Sequence, residues 1–133
     1  MLFRSVIQPL RMMGADIKGK AGGGDEVPPL RINPYGLKSI SWKMQIPSAQ
    51  VKSAILLAGL YADGTTKIYE PMKSRDHTER MLKLFGADIK IKGKNIYISP
   101  SDLSSPGKIR IPSDISSESF FMVLASLDRK SVV

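Results

Sequence analysis

A short stretch of this chain occurs twice. Met12-Met13-Gly14-Ala15-Asp16-Ile17-Lys18 returns 72 residues later as Leu84-Phe85-Gly86-Ala87-Asp88-Ile89-Lys90. A second stretch, Ile46-Pro47-Ser48, returns 65 residues later as Ile111-Pro112-Ser113. Each copy joins the same local elements, helix to strand in the first case and strand to helix in the second. Self-similarity at this period confines the fold to supersecondary units of one plan set side by side. The unit reads β-α-β-α-β-β from Ser39 to about Ile98, which makes the fold class α/β. Residues 1–38 read as the end of one unit, 39–99 as a complete unit and 108–133 as the start of the next. The chain therefore reads as a single partial domain that begins and ends within a unit, as a fragment of a longer protein would.

Hydrophobic periodicity supplies the elements. Val6, Ile7, Leu10 and Met13 predict a helix over 5–13, with Pro9 either in its first turn or kinking it and Gly14 as its C-cap. Residues 18–29, rich in glycine and proline, read as a loop. No Gly-Lys-Ser/Thr closes that glycine run, so it is not a phosphate cradle. Strands are expected over 30–33 and 39–46, the second with Ile40, Trp42 and Met44 on one face. The run 48–62 is apolar nearly all round and predicts a buried helix capped by Ser48. A strand over 65–70, an amphipathic helix over 75–85 and a hairpin through Gly93-Lys94-Asn95 follow. A short strand over 108–111 and an apolar helix over 115–127 close the chain. On the amphipathic helix, Glu79 and Lys83 are spaced as an i,i+4 pair, and Asp76 with Glu79 has the spacing of a capping box.

Composition narrows the chemistry. With no cysteine there are no disulfides, thiolate nucleophiles or cysteine-bound metals. His77 is the one histidine, and no spaced carboxylates join it, so neither a metal site nor a nucleophilic triad is expected. No apolar run approaches the ~20 residues that span a bilayer. The net charge of +8 attracts anions in general, but no block of like charges concentrates it.

Two stretches place small polar or charged residues where a strand ends and a helix begins. They are Pro47-Ser48-Ala49-Gln50 and Ser74-Arg75-Asp76-His77. The first amides of a helix lack intrahelical partners and point outward with partial positive charge, which suits an anion. On spacing alone, Ser48 and Gln50 read more readily as an ordinary cap and a solvated amide than as ligands. Arg75 opposes the dipole of its own helix, which suits a group placed there to grip an anion, and it reads equally as a solvated surface arginine.

The wording around these positions carries a resemblance. Pro47-Ser48-Ala49-Gln50-Val51-Lys52-Ser53-Ala54, then Leu56-Leu57-Ala58-Gly59-Leu60, then Ser74-Arg75-Asp76-His77-Thr78-Glu79-Arg80-Met81-Leu82 and Phe85-Gly86 resemble the 3-phosphoshikimate 1-carboxyvinyltransferase (EPSP synthase) family. They look most like its glyphosate-tolerant bacterial class. The resemblance covers the chain from about Val6 to Ala125. It implies an inside-out α/β barrel of β-α-β-α-β-β units, three to each of two domains, with helix N-termini facing a cleft. It implies transfer of the enolpyruvyl group of phosphoenolpyruvate to the 5-hydroxyl of shikimate 3-phosphate with release of phosphate, a step toward chorismate and the aromatic amino acids. It also implies a cytoplasmic, usually monomeric transferase with no metal or organic cofactor.

Carried over by motif, Ser48, Ala49, Gln50 and Arg75 would contact shikimate 3-phosphate, with Ser74 beside its phosphate. Gln50 would also touch phosphoenolpyruvate. Ser116 and Ser117 match a family helix start but receive no ligand contact. The chain departs from the family pattern in several places. The arginine of an Arg-Pro-Met that binds phosphoenolpyruvate in the family falls on Met1, and Ser113 stands where the family has Gly. The N-terminal Lys-Ser…Arg motif and the catalytic aspartate, glutamate and lysine of the other domain are absent from this stretch. No catalytic residue is therefore assigned, and the chain alone is expected to be inactive. Two rival readings stay open. One is a basic nucleic-acid-binding module, which needs a clustered basic face that the dispersed lysines do not form in sequence. The other is an inert fragment whose buried helix, packed against a missing neighbour, leaves an apolar patch that drives dimerisation or aggregation.

Overall fold

The computed structural model describes residues 2–22, 25–33, 35–111 and 115–127. Helix α1 (Leu2–Met12) leads into strands β1 (Asp16–Gly22) and β2 (Asp25–Asn33), which pair antiparallel. Then come β3 (Ser41–Lys43), α2 (Ala49–Gly59), β4 (Thr66–Tyr69), α3 (His77–Leu84), β5 (Ile89–Lys92) and β6 (Asn95–Ile98). Helix α4 (Ile115–Leu127) is the last described element. The stretch from β3 to β6 has the element order β-α-β-α-β-β. It forms one four-stranded sheet ordered β3-β4-β6-β5. The crossover through α2 joins parallel β3 and β4, and the remaining pairs are antiparallel.

The repeated words occupy equivalent places. Both α1 and α3 end on a glycine in the left-handed region, Gly14 at φ 91° and Gly86 at φ 84°. Only glycine adopts that conformation without a Cβ penalty, so each copy needs it to turn the chain from helix to strand. A two-stranded hairpin follows each turn. The second copy of Ile46-Pro47-Ser48 lies largely outside the described residues, as does Ser113.

The core lies between α2 and the inner sheet face. Ile55 and Leu56 of α2 meet Ile68 of β4 and Ile96 and Ile98 of β6, with Met13 closing one side; all but Ile96, at 3%, are fully buried. Gly59 is what lets α2 settle on the sheet, since a Cβ there would stand 2.5 Å from the Ile98 methyl. Strand alternation leaves Lys67 and Tyr69 on the opposite face of β4. Lys67 lies over Tyr97 and Lys43 over Tyr69, at 5.7 and 5.8 Å from the ring centres.

Three expectations need correction. Residues 18–29 are not a loop but most of the β1–β2 hairpin. The prolines that argued against a strand sit in a register irregularity, where the chain between Val27 and Arg31 lies opposite Gly19 alone. A bulge in a two-stranded sheet tolerates the missing proline donors. The strand expected over 39–46 contracts to β3, because its one hydrogen-bonded neighbour, β4, is itself four residues long. The stretch 108–111 is exposed and pairs with no described strand. Helix α4 forms as expected, but Phe120, Phe121, Val123 and Leu124 are all exposed.

Candidate functional site

The two helix starts singled out in sequence, 27 residues apart along the chain, converge on one open cleft of about 560 Å³. Ser48, Ala49 and Gln50 line one wall; Lys73, Ser74 and Arg75 line the other. Each wall precedes or opens a helix for a local reason. Pro47 ends the extended segment after β3, and Ser48, in extended conformation, caps α2 by accepting from the Val51 amide at 3.4 Å. The first intrahelical bond runs from the Lys52 amide to the Ser48 carbonyl at 3.0 Å. The amides of Ala49 and Gln50 precede it and point out of the helix end. Ser48 is therefore a cap, as the plain reading had it, and its hydroxyl hydrogen stays free to donate while its oxygen accepts.

On the opposite wall, Pro71 stops β4 and the chain runs through Ser74 and Arg75 to the N-cap Asp76. The Arg75 and Gln50 side chains are exposed. The Ser74 hydroxyl is shielded from water. Lys73, which the sequence reading passed over, brings a second cation to this wall. Its ammonium lies 3.4 Å from Asp76 and hydrogen-bonds that carboxyl, holding it below its ordinary range. The lining thus offers two cations, a side-chain amide, hydroxyls and outward backbone amides, a set that complements a phosphate or carboxylate.

The capping-box reading of Asp76 and Glu79 does not hold. Asp76 is the N-cap but makes no side-chain cap bond, and Glu79 turns inward. Glu79 meets Lys52 at 2.6 Å with both side chains buried, rather than pairing with Lys83. Lys52 also lies 3.2 Å from both oxygens of Glu70, whose Oε1 accepts the Ser74 amide at 2.8 Å. Sequence reasoning missed this cluster, although its signal was present. A lysine on a helix that is apolar nearly all round has no water to face, so it must find buried carboxylates.

Burial alone would raise the Glu70 carboxyl. The hydrogen bonds from Ser74 and Lys52, with the charge of Lys52, outweigh it and hold the group below its ordinary 4.5. The stability Glu70 contributes is therefore complete above that value and is withdrawn as pH falls through the lower folded-state value. Thermal melting followed by circular dichroism from neutral pH to about pH 3 is expected to show a steep loss of Tm below pH 4.5, and Glu70→Gln is expected to flatten that limb. An unchanged limb in the variant would remove Glu70 from the account. Among the described residues no cluster of three or more His, Cys, Asp or Glu could hold a metal ion, and no helix is long and apolar enough to cross a membrane. His77 is exposed at the start of α3.

The α/β unit and its helix-start cleft belong to the class of enolpyruvyl transferase folds. The enolpyruvyl transferase NikO of Streptomyces tendae superposes over 71% of the chain with a TM-score of 0.56 at 19% identity, a likeness of fold alone. Residues 3–133 match the family model described as EPSP synthase (3-phosphoshikimate 1-carboxyvinyltransferase), and the chain belongs to that family. The 3-phosphoshikimate 1-carboxyvinyltransferase of Bacillus licheniformis is 47% identical over 93% of the chain, and that of Thermodesulfovibrio yellowstonii 50% identical over the same share. The EPSP synthase structure from Acinetobacter baumannii superposes over 93% of the chain with a TM-score of 0.77 at 46% identity. The chain spans only about 28% of the length of these relatives.

Proposed function

We propose that this chain carries one part of the shikimate 3-phosphate site of an enzyme that transfers the enolpyruvyl group of phosphoenolpyruvate to the 5-hydroxyl of that sugar phosphate. The observation that carries the reading is the convergence of the two family motifs on one cleft, with Ser48, Ala49 and Gln50 facing Lys73, Ser74 and Arg75. In this reading Ser48 and the outward amides of α2 hold the phosphate, Arg75 closes on it from the other wall with Ser74 beside it, and Gln50 reaches both substrates. Residues 1–38, 39–99 and 108–133 are then the end, whole and start of successive units, and the working enzyme is a cytoplasmic transferase of aromatic amino acid biosynthesis. The cleft lining supplies donors and cations but no carboxylate or imidazole, whereas enolpyruvyl transfer needs positioned acid–base groups. The chain alone is therefore proposed to bind without turnover.

Calorimetric titration of the chain with shikimate 3-phosphate, beside shikimate, tests this. Binding is expected only for the phosphorylated ligand. Arg75→Ala is expected to weaken it by about 10–100-fold, the worth of one charge-assisted hydrogen bond. Equal affinity for the two ligands, or none for either, would sink the assignment. A short RNA titrated over a range of salt concentrations tests the nucleic-acid alternative, which demands a steep salt dependence.

A further inference from the structure

Neither family motif by itself explains why the two walls of the cleft stand at a fixed separation. One wall belongs to α2 and the other to the segment before α3, and the polar links between them lie just beneath the lining. Four residues after Ser48 and Ala49 come Lys52 and Ser53; four residues after Ser74 and Arg75 come Thr78 and Glu79. These inner residues pair across the gap. Lys52 meets Glu79 at 2.6 Å, and the Ser53 and Thr78 hydroxyls lie 2.6 Å apart. Ser53 spends its hydrogen on the Ala49 carbonyl at 2.7 Å, so Thr78 donates to it. Glu70 completes the arrangement, taking Lys52 from below and the Ser74 backbone amide from above.

We propose that the buried Lys52–Glu70–Glu79 cluster is the positioning element of this cleft, with Glu70 fixing Ser74 and Arg75 at the distance from Ser48 and Gln50 that a phosphate requires. The inference rests on the reading of the cleft as a phosphate site. None of the three side chains needs to touch the ligand. Their packing beneath the walls is what a preorganised site demands, because a wall free to drift loses the simultaneous contacts that make an anion grip tight. The Ser74 amide is held by Glu70 rather than offered to the ligand, so its part is to set the backbone from which the Arg75 side chain leaves.

The test compares Glu70→Ala with Glu70→Gln. Glutamine keeps an oxygen for the Ser74 amide, and Lys52 keeps Glu79; alanine removes the acceptor altogether. At a temperature where every variant is folded, Glu70→Ala is expected to lose about 10–100-fold in affinity for shikimate 3-phosphate, and Glu70→Gln to recover most of it. A purely structural role would lower the melting temperature of both and leave the affinity of the folded protein unchanged; that result overturns the proposal. The triple variant Lys52→Met, Glu70→Met, Glu79→Met leaves no buried charge and no acceptor for Ser74. It serves if Glu70→Ala fails to fold, and wild-type affinity in it overturns the proposal equally. Hydrogen exchange at the Ser74 amide without ligand separates the two readings. If the wild-type chain binds no shikimate 3-phosphate, the site assignment fails. The positioning claim then stands or falls on whether Ser74 exchanges faster in Glu70→Ala than in Glu70→Gln.

Discussion

Replacing Lys52 with methionine is expected to destabilise the chain by about 3–5 kcal/mol, the cost of leaving buried charges without a partner. Methionine keeps the length and apolar stem of the side chain, so packing around α2 changes little. What disappears is the cation that bridges Glu70 and Glu79, whose side chains are only 6% and 3% exposed. Two largely buried carboxylates would then be left without their shared cation, and Glu79 Oε2 already has no hydrogen-bond partner among the described residues. Urea unfolding followed by circular dichroism measures the effect as a drop in midpoint at unchanged slope. A loss below about 1 kcal/mol, typical of exposed pairs, would mean that water reaches the cluster.

Ile68→Ala should cost about 2–5 kcal/mol, the range for deleting a large aliphatic side chain from a packed core. Ile68 is fully buried in the middle of β4 and stands in register between Trp42 of β3 and Ile96 of β6. Because β4 has a strand on either side, the sheet cannot close in on a cavity there without moving two neighbours. The same strand leads directly to Glu70, so loosening it would also loosen the cleft. Ile68→Val, which removes one methylene, should cost only about 0.5–1.5 kcal/mol. Similar midpoints for alanine and valine in the same urea experiment would show that the core relaxes around the site.

The repeat was the strongest guide to architecture. Gly14 and Gly86 mark the same turn in two places, and the β-α-β-α-β-β order follows from them with ordinary strand and helix periods. The hairpin over β1 and β2 was illegible because its glycines and prolines mimic a loop, and only the partner strand shows that the irregular residues form a bulge. Of the site, both walls could be read from the chain, since Pro47 and Pro71 punctuate strand-to-helix junctions whatever surrounds them. Lys73 was passed over because a lysine beside a turn looks solvated. The Lys52 cluster was hidden for a different reason: Glu79 offered a local partner in Lys83 and a local role as a cap, and tertiary burial overrode both.

The order β3-β4-β6-β5 leaves two strand edges, and neither is a good template for another strand. Strand β3 is only three residues long, and β5 alternates isoleucine with Lys90 and Lys92. Short or lysine-lined edges discourage backbone pairing between molecules. The apolar surface of α4 carries no such protection. Of these surfaces, the α4 face rather than an edge of this sheet is the one on which contact between copies would be expected to begin.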